Sequence, residues 1–218
     1  MVAPLPSASP PKGGECDFTD PTVIPAKQLA DEPPKMNIRP DLYDYSAVLE
    51  TSCGDIRIDL LEKDAPVTVN NFVRLAGIQW FEGLLFQRLA DSIDIIQVGD
   101  PTCLVDEIAC GSGGPGYKID DELTGKEKYE PGTVAMANLG RPDTNGSQFF
   151  IVTGPGGEDI PPKFTIFGKV ADQESLEVAQ LIQEQDVRAR EDAPPGAEAD
   201  FPVDHIWLLD VKVAKDKK

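Results

Sequence analysis

The sequence predicts a mainly β domain, a barrel or a sandwich, and three observations carry that expectation. Short apolar runs separated by turn signals recur along the chain. Only two stretches show sustained helical spacing, and they do not alternate with strands as βαβ units would. No internal repeat is present.

Residues 1–43 read as a Pro-rich N-terminal extension, 44–214 as the domain and 215–218 as a charged tail. The extension has no sustained period, and its second half is expected to lie against the domain. Ser46–Thr51 and Ile56–Leu60 form two strands around Cys53-Gly54-Asp55, a hairpin signal. A helix follows: Pro66 suits its first turn, Val69, Phe72, Val73 and Ala76 give the apolar stripe, and Gly77 ends it. Leu84–Phe86 and Ile93–Val98 are the next strands, then an irregular Gly-rich loop from Pro101 to Tyr117. Thr133–Ala137 and Phe149–Val152 are apolar strands joined by a loop whose turn signal is Asn145-Gly146. Phe164–Phe167 is another strand. A second helix runs from about Glu174 to Gln185, residues 186–203 form an acidic Pro/Ala insert, and His205–Val213 is the last strand.

Composition narrows the function. A hydrophobic fraction of 40% supports a real core, and 38 acidic against 20 basic side chains give a net charge of −18. Such a surface repels phosphate backbones, so no nucleic-acid partner is expected. No stretch approaches the roughly 18 apolar residues of a membrane-spanning helix. The four cysteines, Cys16, Cys53, Cys103 and Cys110, include no Cys-x-x-Cys pair, and with one histidine a zinc site is not expected. Two readings of them stay open: four thiols, or two disulfides, of which Cys16–Cys53 with Cys103–Cys110 is the easiest pairing to close. No basic-then-apolar signal pattern opens the chain; the Pro/Ser/Gly start resembles a segment that follows a removed signal or an anchor.

Several motifs fail on context. Gly111-Ser112-Gly113-Gly114-Pro115-Gly116 spells a dinucleotide fingerprint, but Pro115 and the polar run after it open no helix, so no cofactor is expected. Asn145-Gly146-Ser147 is formally a glycosylation acceptor, set inside framework. His205 has no nucleophile-and-acid context and reads as a barrel-rim residue. What remains is a dispersed set: Phe86-Gln87-Arg88, Gln97 with Gly99-Asp100, Met136-Ala137-Asn138, Asn145 to Phe150, and Phe167-Gly168-Lys169-Val170. Brought together, an arginine on a strand, glutamines beside it and a phenylalanine floor would form an apolar groove with a fixed donor.

This set resembles the cyclophilin family of peptidyl-prolyl isomerases, from about Ala47 to Val213, with Asn145–Phe150 its most specific block. The resemblance implies an eight-stranded antiparallel barrel capped by two α-helices. It implies Arg88 as the catalytic donor to the proline nitrogen and Gln97 as holder of the substrate carbonyl. The Asn138 backbone would pair with the peptide, and Phe150 would floor the proline pocket between Ile95 and Ile160. Ala137, Leu139 and Gln148 would line the groove, with Phe86 and Phe164 also on the substrate side. Partners would be proline-containing peptides and unfolded clients of a monomer, without cofactor or metal. Thr51–Asp55 and the linker-like start resemble exported or envelope-associated bacterial members, which favours an exported or envelope-associated location over a cytoplasmic one.

The chain also departs from the family pattern. One extra residue separates Arg88 from Gln97, the pocket phenylalanine there is absent with Ile93 as stand-in, and Gln87 replaces a histidine. Arg141 lengthens the loop before Asn145. Asp159 stands where many relatives have tryptophan, and Phe164 where many have histidine, which argues against cyclosporin sensitivity. An alternative function is therefore a proline-peptide binding or chaperone module with weak turnover.

Overall fold

The computed structural model describes residues 15–21, 24, 26–104, 110–190 and 198–218. In chain order the elements are β1 (Tyr43–Thr51), β2 (Gly54–Leu60), α1 (Pro66–Gly77), β3 (Leu84–Ala90), β4 (Ile95–Val98), β5 (Thr133–Met136) and β6 (Phe149–Val152). They continue with β7 (Ile166–Val170), α2 (Gln173–Gln183), β8 (Val187–Arg188), β9 (Phe201–Pro202) and β10 (Trp207–Lys217). Strands β1 to β7 and β10 close into an antiparallel barrel in the order β1-β10-β3-β4-β6-β5-β7-β2, so it is eight-stranded; β8 and β9 form a separate ribbon.

Alternation explains the interior. Leu49, Ile56, Ile58, Ile96, Val98, Val134, Phe149 and Ile151 point inward and are buried in one core. Phe72 of α1 reaches that core, its ring centroid 5.1 Å from Phe81, 5.3 Å from Phe167 and 5.7 Å from Phe149. Val178, Ala179 and Ile182 of α2 join it too. Ala65 caps α1 with no side-chain bond; instead Glu122 accepts from Val67 N at 2.9 Å and Thr68 N at 2.8 Å, satisfying two of the helix's orphan donors.

The extension has no helix or strand among its described residues before β1, yet it is fastened to the barrel. Cys16 is disulfide-bonded to Cys53, Asp17 N donates to Ser52 O at 2.7 Å, and Ala30 N donates to Pro115 O at 2.9 Å. Asn70 accepts from the Asn37 and Ile38 backbone at 2.8 and 3.3 Å, and Ile38 is buried. The Pro/Ser/Gly start lies outside the described residues.

Three local expectations change. Strand β10 runs to Lys217, through the expected tail, because Lys215 and Lys217 pair with Tyr45 and Tyr43 while Lys218 reaches Asp44 and Glu62. Strand β4 starts at Ile95, since Asp91–Ile93 form a 3₁₀ turn closed by Asp94 at φ 47°. Asn145-Gly146 is not the turn between β5 and β6; Gly140 and Asp143 take the positive φ angles, 74° and 58°.

Candidate active site

The site lies on the outer face of the sheet, and a β-bulge puts it there. Phe86 pairs with Val98 and both side chains enter the core; the register then shifts, so that Arg88 pairs with Gln97 and Leu89 with Ile96. Without a bulge at Gln87, period-two alternation would set Arg88 on the same face as Phe86. With it, Arg88 faces out beside Gln97, while Leu89 returns inward. Phe86 therefore belongs to the barrel core and not to the groove.

The outward residues of β4, β5 and β6 build a second apolar cluster. Ile95, Ala135, Phe150 and Val152 pack with Tyr129 and Ile160, and Ile93, Ala137 and Phe164 flank them. A hollow of about 140 Å³ opens over this cluster, lined by Arg88, Ile93, Ile95, Gln97, Ala137, Asn138, Phe150, Ile160 and Phe164. Phe164 stands perpendicular to Phe150, centroids 5.4 Å apart at 89°. Its position is pinned by Tyr129, whose hydroxyl accepts from Phe164 N at 2.9 Å and donates to Phe164 O at 3.0 Å. Burial raises the pKa of that hydroxyl and keeps it a donor; the hydrogen bonds to the Phe164 and Lys163 backbone oppose the rise.

A smaller hollow of about 40 Å³ continues from the first over Gln97, Ala137, Asn138, Leu139, Ser147, Gln148 and Lys118. Gln148 organises it. Its Nε2 donates to Asp100 Oδ2 at 3.0 Å and to the carbonyls of Gly111 and Gly113 at 3.0 and 2.9 Å. With the nitrogen so committed, Oε1 accepts from Gln97 Nε2 at 2.9 Å, which orients the Gln97 amide. Asn138 Nδ2 donates to Lys163 O at 3.0 Å and Leu139 is exposed at the mouth. Burial lowers the Lys118 pKa, against the pull of Asp100.

The Asn145–Phe150 block is mostly framework. Asn145 Nδ2 donates to Asp121 Oδ1 at 2.7 Å, Asn71 Nδ2 donates to Gly146 O at 2.8 Å, and Ser147 Oγ donates to Gly99 O at 2.7 Å. Gly99 has φ 110°, and a Cβ there would lie 2.3 Å from Ser147 O, so the approach of β4 to this block requires glycine.

A family model described as cyclophilin type peptidyl-prolyl cis-trans isomerase/CLD matches residues 46–208. The chain belongs to that family. Its activity is therefore rotation about peptidyl-prolyl bonds. Peptidyl-prolyl cis-trans isomerase B of Streptomyces anulatus is 38% identical over 164 residues, covering 68% of this chain and 89% of the relative. Peptidyl-prolyl cis-trans isomerase A of Mycobacterium tuberculosis is 40% identical over 153 residues, covering 63% and 79%. A crystal structure of a cyclophilin type isomerase from Cryptosporidium parvum superposes with a TM-score of 0.62 at 28% identity, covering 79% of this chain and 99% of that one. A second structure of that protein, solved in the presence of the dipeptide Ala-Pro, gives a TM-score of 0.61.

Against this cyclophilin frame, the expected site residues sort clearly. Arg88, Ile95, Gln97, Ala137, Asn138, Phe150, Ile160 and Phe164 meet at the larger hollow; Leu139 and Gln148 line the smaller one; Phe86 meets neither. Ile93 lines the larger hollow. Between Arg88 and Gln97 the chain folds into a 3₁₀ turn closed by Asp94, whose Oδ2 accepts from Gly156 N at 2.7 Å. Two neighbours had no sequence signal. Tyr129 sits in a polar loop with no period, and Asp200, at the end of the acidic insert, accepts from Arg88 Nε at 2.7 Å.

Proposed function

We propose that Arg88 is the catalytic residue of this isomerase, acting on proline-containing segments of unfolded or flexible chains. The observation that carries the reading is the pairing of Arg88 with Gln97 on one outer face, both bordering the apolar hollow floored by Phe150. The barrier to X–Pro rotation is amide resonance, roughly 20 kcal/mol. As the bond twists, the nitrogen lone pair leaves conjugation and becomes a hydrogen-bond acceptor. A guanidinium beside a proline ring seated on Phe150 meets that lone pair only in the twisted state, and so favours the transition state over both planar isomers.

Gln97, held by Gln148, donates to the substrate carbonyl and fixes the chain while the prolyl side rotates. Ile93, Ile95, Ile160 and Phe164 hold the ring by contact. Asp159 is exposed next to Ile160 of this rim, a carboxylate in place of an apolar aromatic surface, which speaks against cyclosporin sensitivity.

The test is cis-to-trans exchange of an Ala-Pro-Phe-type peptide with the wild type and Arg88→Ala. Removing a donor used in the transition state is expected to cost about 10²–10³ in kcat/KM. Equal rates for the two proteins would refute the assignment of Arg88. Peptide binding without any acceleration by the wild type would favour the chaperone-module reading.

A further inference from the structure

We infer that Asp200 is the positioning residue for Arg88, and that the insert after α2 exists in part to deliver it. The inference rests on Arg88 being the catalytic donor. Arg88 Nε donates to Asp200 Oδ2 at 2.7 Å, and this is the one side-chain bond Arg88 makes among the described residues. The contact uses the Nε edge. Both terminal nitrogens stay without a protein partner there, on a side chain that lines the larger hollow and remains 35% exposed.

An unrestrained arginine has four rotatable side-chain bonds, and ordering it on a substrate costs rotamer entropy. A carboxylate on Nε fixes the plane of the guanidinium beforehand, so the terminal N–H groups are aimed when substrate arrives.

Asp200 is itself held from three directions. Its carbonyl accepts from Leu89 N at 2.8 Å, so its backbone is hydrogen-bonded to the residue next to Arg88. Two residues earlier, Glu198 accepts from Ser92 N at 3.1 Å and Ser92 Oγ at 3.0 Å. On the other side, Phe201 of β9 is buried against Leu85, Trp207, Cys103 and Cys110, with the Arg188 guanidinium 4.8 Å above its ring. A segment serving merely as a linker between α2 and β10 needs none of these anchors. Nothing in the repeating pattern of the chain marks position 200; the placement arises from β9 docking beside β3.

The experiment compares Asp200→Ala, Asp200→Asn, Arg88→Ala and the double variant Asp200→Ala/Arg88→Ala in the full chain, by peptide exchange kinetics. Asp200→Ala should lower kcat about tenfold with KM nearly unchanged, within the hundredfold that a misplacement of about 1 Å costs. Asp200→Asn, which keeps an oxygen acceptor, should recover most of that loss. In the Arg88→Ala background, Asp200→Ala should add no further loss. The Arg88 Nε–H resonance in nitrogen-edited NMR should be protected from water in the wild type and lose protection in Asp200→Ala.

A rate for Asp200→Ala equal to or above wild type would overturn the inference, making the contact a strap or a brake. So would a loss that persists undiminished when Arg88 is already absent, or an Arg88 Nε–H unprotected in the wild type. Failure of the underlying reading has a different mark: Arg88→Ala would then turn over at the wild-type rate while the Nε–H protection still depends on Asp200.

Discussion

Asp100 is fully buried, and five donors converge on its carboxylate: Thr102 N at 2.7 Å, Thr102 Oγ1 at 2.6 Å, Gly111 N at 2.7 Å, Gly113 N at 2.9 Å and Gln148 Nε2 at 3.0 Å. It is the hub through which a Gly-rich loop supports the groove, since Gln148 in turn orients Gln97. Gly113 is close-packed here; a Cβ on it would sit 2.1 Å from Asp100 Oδ1. Asp100→Asn is nearly isosteric but replaces an acceptor with an NH₂ facing other donors, leaving buried groups unpaired. The expected cost is about 2–3 kcal/mol, with kcat/KM reduced because Gln97 loses its orientation. Chemical denaturation and peptide exchange measure the two effects; unchanged values in both would show that the hub is dispensable. The sequence set Gly99-Asp100 beside Gln97 but gave no means of seeing five donors arrive from three segments.

At the scale of elements, α2 shows what local sequence chemistry controls. Asp172 is its N-cap, accepting from Ser175 N at 2.8 Å and from Arg57 Nη1 of β2 at 3.2 Å. Burial pushes the Asp172 pKa up, but the Ser175 hydrogen bonds and the Arg57 guanidinium outweigh it and hold the carboxyl below its ordinary value. A folded-state pKa depressed in this way means the unfolded chain binds the proton more readily. The stability it supplies is thus complete above the ordinary carboxylate pKa and is lost as pH falls through the depressed one. Asp172→Ala should cost about 1 kcal/mol at neutral pH and flatten part of the acid limb of the stability curve; an identical acid limb would count against the cap.

Helix α1, both hairpin strands and the apolar strands β5 and β6 were legible for the same reason: local spacing and turn residues decide them. What escaped were decisions made across the sheet. The bulge at Gln87 reverses the facing of Arg88, Tyr129 reaches Phe164 from an unpatterned loop, and Glu122 caps a helix more than fifty residues before it. No window of one strand contains those contacts. The family resemblance pointed to Arg88 as a candidate because it carries tertiary information that periodicity lacks, and it set Phe86 on the substrate side although Phe86 lies in the core, next in sequence to the groove residues of β3.

For the whole molecule, the two disulfides close rings of very different reach and touch different parts of the function. Cys16–Cys53 spans 37 residues and binds the extension to the β1–β2 corner, whereas Cys103–Cys110 spans 7 and lies in the loop that Asp100 gathers. Loop-closure entropy scales with the logarithm of ring size, which gives about 4 kcal/mol for the longer ring and about 2 kcal/mol for the shorter, less any native strain. Catalysis should rank them in reverse. Gly111 follows Cys110 directly, and its carbonyl is one of the acceptors that fixes Gln148. Cys110 O also accepts from Arg190 Nη1 at 2.8 Å, and both cysteines pack on Phe201, next to Asp200. Replacing Cys103 and Cys110 by serine should therefore lower kcat/KM severalfold at modest cost in stability. Replacing Cys16 and Cys53 should lower the denaturation midpoint more and leave turnover close to wild type. Denaturation and exchange kinetics on both double variants, with reduced wild type as the reference for losing both bonds, decide it. Loss of turnover from the Cys16/Cys53 variant alone would mean that the extension, and not the Gly-rich loop, is what the groove depends on.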